Sequence, residues 1–283
     1  MPDQEMHRQS FIEPGAIQLW TDSWDGKGSA VLLIGGAGAI SAFWPDQFCQ
    51  DLADQGHQVI CYDQRDTGFA THVDFETHPY DLNDLVNDAL SVLDAFDVPR
   101  AHIVGHSMGG FIAQLLAIDH ADRVRSITSI SSHSGSPEVP PPVAETWDLL
   151  LANQPTGEIE TDLAGYMKVW RHLNGDLPFD EGLAEAYTRE IYKRNPGTLP
   201  ADNHVAAQRD MRDRTTILAS VHVPALVIHG EQDPLVPQIG GRLTAEALPS
   251  STYLTLPGAG HMFFNRDTWQ TIGAAMAPHL NVS

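Results

Sequence analysis

The sequence predicts an α/β fold: a mostly parallel, doubly wound sheet with an inserted helical cap. Three observations carry that expectation. Strand-like stretches recur at 30–34, 58–62, 101–104, 124–130, 225–229 and 252–256, and the one at 30–34 is continuously apolar, as expected of a strand covered on both faces. Helical patterns fall between them, so strand and helix alternate. The alternation stops between His133 and Thr216, where only helical patterns follow one another. The chain therefore divides into a first part of the core at 1–132, a helical cap at 133–216, and a second part of the core at 217–283.

Each element has its own reason. Residues 17–20 alternate weakly and read as an edge strand, and Lys27-Gly28 is a turn. The strand at 30–34 empties into Gly35-Gly36-Ala37-Gly38, where backbone can approach a ligand closely. No Gly-Lys-Ser/Thr follows and G-x-G-x-x-G is absent, which disfavours a phosphate loop. A short helix at 44–52 precedes the strand at 58–62 and a polar loop, Asp63 to Gly68. Within that loop, Asp63 and Arg65 read as a structural ion pair in preference to a substrate contact. Asp81 is placed to cap a helix with Asp84 in its first turn. Leu82, Leu85, Val86, Ala89, Leu93 and Phe96 recur there at helical spacing and form one buried stripe, which Val98-Pro99 ends. The strand at 101–104, a helix at 111–118 and the strand at 124–130 complete the first half.

A proline-rich linker, 137–142, opens the cap, with helical spans at 143–153, 159–174, 181–194 and 203–214. Most of its bulky side chains, including Trp147, Tyr166, Met167, Trp170, Tyr187 and Tyr192, are expected to pack cap helices together, and a minority to face a site. Trp147, Met167 and Trp170, with Gly36 and Met262, are the candidate substrate-binding residues. Past the cap come the strand at 225–229, a helix at 241–247, the strand at 252–256 and a last helix at 268–279.

Composition narrows the function. Of 283 residues, 42% are hydrophobic and 19% charged, and 16 Lys and Arg against 37 Asp and Glu give a net charge of −21. Such a surface disfavours a nucleic-acid backbone. No apolar run reaches the roughly 18 residues of a membrane span. The polar stretch from Met1 to Gly15 lacks the apolar core of a secretion signal, so the cytoplasm is the expected compartment. Cys49 and Cys61 read as buried free thiols, too few for a disulfide framework or a metal site.

The chemistry concentrates at three strand ends. Gly105-His106-Ser107-Met108-Gly109 joins a strand to a helix and matches G-x-S-x-G, the nucleophile elbow. A turn that tight strains the serine backbone and leaves no room for side chains two positions either way. Ser107 Oγ then stands exposed, and the N–H of Met108 is free to hold a developing oxyanion, with Ala37 as the second donor. Asp233 and His261 each follow a later strand, in the order Ser…Asp…His. A serine hydroxyl is a weak nucleophile, so an imidazole must take its proton and a carboxylate must fix that imidazole.

Other residues compete for these roles. Among 14 histidines, His106 precedes the elbow serine and reads as structural, while His229 is placed to bond nearby backbone. For the acid, Asp233 is favoured over Glu231 because it lies deeper in its loop. No His-x-x-x-His or paired-Cys motif supports a metal.

On Gly105-His106-Ser107-Met108-Gly109, His229-Gly230-Glu231-Gln232-Asp233, Gly260-His261 and Asp63-x-Arg65-x-x-Gly68, the chain resembles the α/β-hydrolase superfamily over essentially its full length. Many members have His-Gly where this chain has Gly35-Gly36, which removes an outer hydrogen bond and leaves the Ala37 N–H. Leu19-Trp20-x-Asp22, Trp44-Pro45-Asp46-x-Phe48, Tyr62-Asp63-x-Arg65-Asp66-Thr67-Gly68 and Asp74-Phe75-x-x-His78-Pro79-Tyr80 are similar to polyketide methylesterases that act on anthracyclines such as aclacinomycin. The resemblance implies hydrolysis of a small-molecule carboxylic ester through an acyl-enzyme, with no cofactor. Related caps on the same triad serve lactonases, carbon–carbon hydrolases, perhydrolases and proline iminopeptidases. The last need cap carboxylates such as Glu145, Asp148, Glu158 or Glu160. A non-catalytic small-molecule binder is the alternative of another class.

Overall fold

In the computed structural model, which describes residues 7–194, 201–209 and 211–281, eight strands form one sheet. They are β1 His7–Ile12, β2 Leu19–Trp24, β3 Ala30–Ile34, β4 Gln58–Asp63, β5 Ala101–His106, β6 Val124–Ile130, β7 Ala225–Gly230 and β8 Ser251–Leu256. Their order is β1-β2-β4-β3-β5-β6-β7-β8. β1 and β2 run antiparallel to their neighbours and the rest are parallel. The expected features at 1–6, 195–200, 210 and 282–283, including parts of the expected cap, lie outside the described residues.

Alternation along each strand decides what it buries. Leu32 and Ile34 of β3 face one cluster with Leu85, Val92, Ile112 and Leu116. These come from α2 Leu82–Ala95 and α3 Met108–Asp119. Val31 and Leu33 face the other, with Phe48, Leu52, Ile272 and Met276. Those belong to α1 Asp46–Asp54 and a C-terminal helix at Arg266–Leu280. Asp81 caps α2 through a reciprocal box, accepting from the N–H of Asn83 and Asp84 at 2.7 and 3.2 Å while Asp84 accepts from Asp81 N–H at 3.0 Å. Cys49 and Cys61 are buried free thiols.

Two expectations need correction. The N-terminal edge is β1, and the strand expected at 17–20 is the inner strand β2, which starts at Leu19. β1 escapes a periodicity argument because four of its six residues are exposed. It pairs through polar contacts instead, among them Gln9 Nε2 to Asp22 at 2.6 Å and Ser10 to Thr21 at 3.0 Å. Asp63 and Arg65 do not form an ion pair with one another. Arg65 binds Asp88 of α2 with two bonds of 2.7 Å, whereas Asp63 accepts from Arg194 at 3.1 Å and Ser41 N–H at 2.7 Å. The chain turns at the end of β4, and the two side chains reach different helices.

Between β6 and β7 the described residues form five helices: α4 Ala144–Ala152, α5 Ile159–Leu173, α6 Glu181–Arg194, α7 Ala201–Ala207 and α8 Thr215–Leu218. The helix expected over 203–214 is thus a shorter one, set earlier, followed by a separate turn of helix. The two ends of the insertion meet. Arg214 N–H donates to Ser134 O at 2.9 Å, and the Ser134 and Thr215 hydroxyls lie 2.6 Å apart. The buried Arg214 guanidinium donates to His133 O at 3.0 Å, Arg212 O at 3.1 Å and Gln114 Oε1 of α3 at 3.1 Å. β7 is followed by α9 Ile239–Ala247, and the C-terminal helix is α10. Among the described residues, no helix is long and apolar enough to cross a membrane.

Candidate active site

Ser107 sits between β5 and α3 with φ 54° and ψ −119°, a conformation that costs an L-residue on the order of 1–3 kcal/mol. Its surroundings hold it there. Ser107 N–H donates to Ile130 O at 2.8 Å, and its carbonyl accepts from Gly110 N–H and Ser132 Oγ, both at 2.8 Å. Glycine flanks the turn out of necessity. A Cβ on Gly105 would stand 2.0 Å from Gly109 O, and one on Gly109 would stand 2.2 Å from Ile34 O. Met108 opens α3, so its N–H has no acceptor within the helix.

The loop after β3 lies against the serine, since a Cβ on Gly36 would come 3.1 Å from Ser107 Cβ. Two side chains from elsewhere hold this loop. Buried Gln64 donates Nε2–H to Gly35 O at 3.1 Å and Gly36 O at 3.4 Å. From α7, His204 accepts Gly38 N–H on Nδ1 at 2.9 Å and donates Nε2–H to Arg65 O at 2.8 Å.

Asp233 and His261 meet at the same sheet edge. His261 Nδ1 donates to Asp233 Oδ2 at 2.8 Å, with both residues buried. The other oxygen, Oδ1, accepts Leu235 and Val236 N–H at 2.9 and 2.8 Å. Burial pushes the Asp233 carboxyl up, but the His261 and His229 imidazoles outweigh it and hold the group well below the usual carboxylate range. Glu231 faces solvent and accepts Gly258 N–H at 3.1 Å, so Asp233 is the acid that reaches the imidazole. The loop of His261 is fastened to the end of α5, where Gly260 N–H donates to Asn174 O at 3.1 Å and Met262 N–H to Leu173 O at 2.9 Å.

His106 joins the two halves of the site. Its Nε2–H donates to His261 O at 2.8 Å, and its ring packs on the His261 ring at 4.9 Å. Burial first, then the neighbouring His261, lowers its pKa to about 3, so it stays neutral. The hydrogen bonds described for His261 run to Asp233 and His106 and not to Ser107 Oγ.

Of the expected pocket residues, Met262 is buried beside the site, and Trp147 is 44% exposed on α4. Trp170 donates to Thr188 at 2.8 Å, which ties α5 to α6, and packs on Phe264 of the loop after β8 at 5.5 Å. Met167 is half-buried in the same cluster. A cavity of about 550 Å³ is lined by Tyr80, Asp84 and Arg212 among others, and by none of Ser107, Asp233 and His261.

Sequence reasoning passed over Gln64 and His204, and it missed the second contact of His229. That residue bonds Val236 O at 2.8 Å, as expected, and also lies 3.5 Å from Asp233 Oδ2. His204 stands 166 positions from the glycine it holds, and no local pattern links them.

The family model described as the alpha/beta hydrolase fold matches residues 29–266. The chain is 35% identical over 274 residues to the rhodomycin D methylesterase DauP of Streptomyces sp. strain C5, a match spanning 89% of this chain and 91% of that protein. It is 33% identical to the rhodomycin D methylesterase DnrP of Streptomyces peucetius, with the same coverage of each. Among solved structures, a hydrolase from Pseudomonas aeruginosa PA01 matches with a TM-score of 0.74 at 25% identity, covering 97% of this chain and 98% of that one. The enol-lactonase from Burkholderia xenovorans LB400 shares the fold, with a TM-score of 0.73 at 22% identity and coverage of 96% and 99%.

Proposed function

The chain belongs to the α/β-hydrolase fold family, and on that premise we propose that it is a serine carboxylesterase acting through an acyl-enzyme. The buried Asp233–His261 pair, 2.8 Å apart beside the strained Ser107 turn, carries this reading. With Nδ1–H committed to Asp233, His261 Nε2 is left with a lone pair. It takes the Ser107 proton as Oγ attacks the ester carbonyl, and the imidazolium that forms is steadied by Asp233. The N–H groups of Ala37 and Met108 hold the oxyanion, each worth on the order of 10²–10³ in rate. His261 then protonates the leaving alcohol and later activates water to release the acid. No step requires a cofactor.

The names of the two rhodomycin D methylesterase relatives support methyl esters as the first substrate class to try. We take α4 to α7 as the cap that shapes the pocket, with Gly36, Trp147, Met167, Trp170 and Met262 as its candidate contacts.

Hydrolysis of p-nitrophenyl acetate and butyrate tests the reaction class. Wild type is expected to turn over both, and Ser107→Ala to lose at least ~10³ of that rate. A fluorophosphonate should add its mass to Ser107. Asp233→Asn should lower kcat by as much as ~10⁴ through the wrong imidazole tautomer. Full activity in Ser107→Ala would sink the reading.

A further inference from the structure

We propose that His204 of α7 is a positioning residue for the oxyanion loop, so that the loop is set only when this part of the helical insertion is docked. The inference rests on the esterase reading, because it assigns a purpose to the Ala37 N–H. The loop from Gly35 to Gly38 has few bonds of its own. Just past it, Ala39 N–H donates back to Gly36 O at 3.2 Å. Gln64 restrains the two carbonyls at its start. The far end is held by His204 Nδ1, which accepts Gly38 N–H at 2.9 Å. Ala37 lies between these two anchors. The Gly36–Ala37 peptide is bonded through Gly36 O alone, and it turns its N–H away from the serine less readily when the next peptide, Ala37–Gly38, is held as well.

The histidine is chosen for more than shape. Arg65 O can only accept, so the 2.8 Å contact fixes the His204 proton on Nε2 and leaves Nδ1 as an acceptor for Gly38. That arrangement requires the neutral ring, because a proton on Nδ1 would face the Gly38 N–H. The surroundings supply neutrality. His204 is wholly buried, and burial lowers its pKa to about 4 although Arg65 O and Asp66 act the other way. Tyr80 stands edge-on to the ring at 6.3 Å.

The helix that carries His204 is itself anchored. Asn203 Nδ2 donates to Asp66 Oδ2 at 3.1 Å and Val73 O at 3.2 Å, and Tyr80 OH donates to the same Asp66 oxygen at 2.6 Å. The route therefore runs from the insertion, through one imidazole, to the peptide beside the nucleophile. A one-ångström misplacement of a reacting group costs about 10²-fold in rate, so a loosened loop should act on the transition state and spare substrate binding.

Three variants test this. His204→Leu removes the acceptor and keeps the bulk. Its kcat for p-nitrophenyl butyrate should fall about 10- to 100-fold with KM within about twofold. Its affinity for an alkyl boronic acid, which forms a tetrahedral adduct on Ser107, should fall by the same factor. His204→Asn places Oδ1 where Nδ1 stood and should restore most of both. Asn203→Ala removes an anchor of α7 without touching Gly38 and should change kcat less than His204→Leu. Amide exchange at Gly38, read by NMR without turnover, should quicken in His204→Leu alone. Unchanged kcat and boronate affinity in His204→Leu, or a His204→Asn variant as impaired as the leucine one, overturns the proposal. A wild type inert to esters and fluorophosphonate, with Gly38 still protected by His204, would instead sink the esterase reading and leave the tether standing.

Discussion

At Ser107 the polypeptide holds a backbone angle that glycine adopts freely and serine does not, φ 54° with ψ −119°. The strain is local, so it is separable from the chemistry. Ser107→Gly should raise the melting temperature by about 1–4 °C, the gain from relieved strain exceeding the entropy that glycine adds to the unfolded chain. Ser107→Ala keeps a Cβ and should leave the melting temperature near wild type. Differential scanning calorimetry of the two variants separates these outcomes, and equal melting would remove strain from the account of this turn. The sequence singles out Ser107, Asp233 and His261 as candidates because each follows a strand, and the structure brings the last two within 2.8 Å of one another. His204 and Gln64 were not legible. Their partners are backbone atoms of a distant loop, and a side chain that bonds to backbone leaves no matching residue to read.

Among the elements, those covered on both faces announced themselves. β3 and β6 occupy the spans their strand-like stretches predict, and α6 the span its helical pattern predicts. β1 did not, since its contacts are polar and its faces open. The Asp63–Arg65 reading failed for a related reason. Proximity in sequence was allowed to stand for proximity in space, and a turn at the end of β4 sent the charges to Arg194 and Asp88. Capping is the level at which an element can be tested alone. Asp81→Ala should destabilise the protein by about 1 kcal/mol, within the 0.5–2 kcal/mol range of such caps, because two N–H groups of α2 lose their acceptor. Urea denaturation should show a lower midpoint with an unchanged slope. A midpoint equal to wild type would mean that water replaces the carboxylate at no cost.

For the molecule as a whole, buried histidines set the acid limit. Burial is the leading cause that lowers His102 to about 4, His106 to about 3, His133 to about 4 and His204 to about 4. An unfolded histidine titrates near 6.5, so the unfolded chain binds more protons between these values and the folded state loses ground there. The contribution of these groups is fully present above pH ~6.5 and is lost progressively as pH falls toward 4 and 3. Asp233, held low in the fold, loses its contribution only below the unfolded carboxylate value near 4. Melting temperature followed by circular dichroism should therefore be flat from pH 8 to about 7 and decline steadily below about 6.5. A profile still flat at pH 4.5 would contradict the burial of these rings. The meeting of Ser134 with Arg214, 2.9 Å apart, has a consequence of another kind. A segment that departs from and rejoins the sheet at a single point is a cassette. Exchange of that segment between relatives would carry its helices as one unit, and with them the bonds from Asn174 to the His261 loop and from His204 to Gly38. Ser134 and Arg214 mark where a foreign insertion could be grafted, and such a graft would have to replace those bonds as well as close the chain.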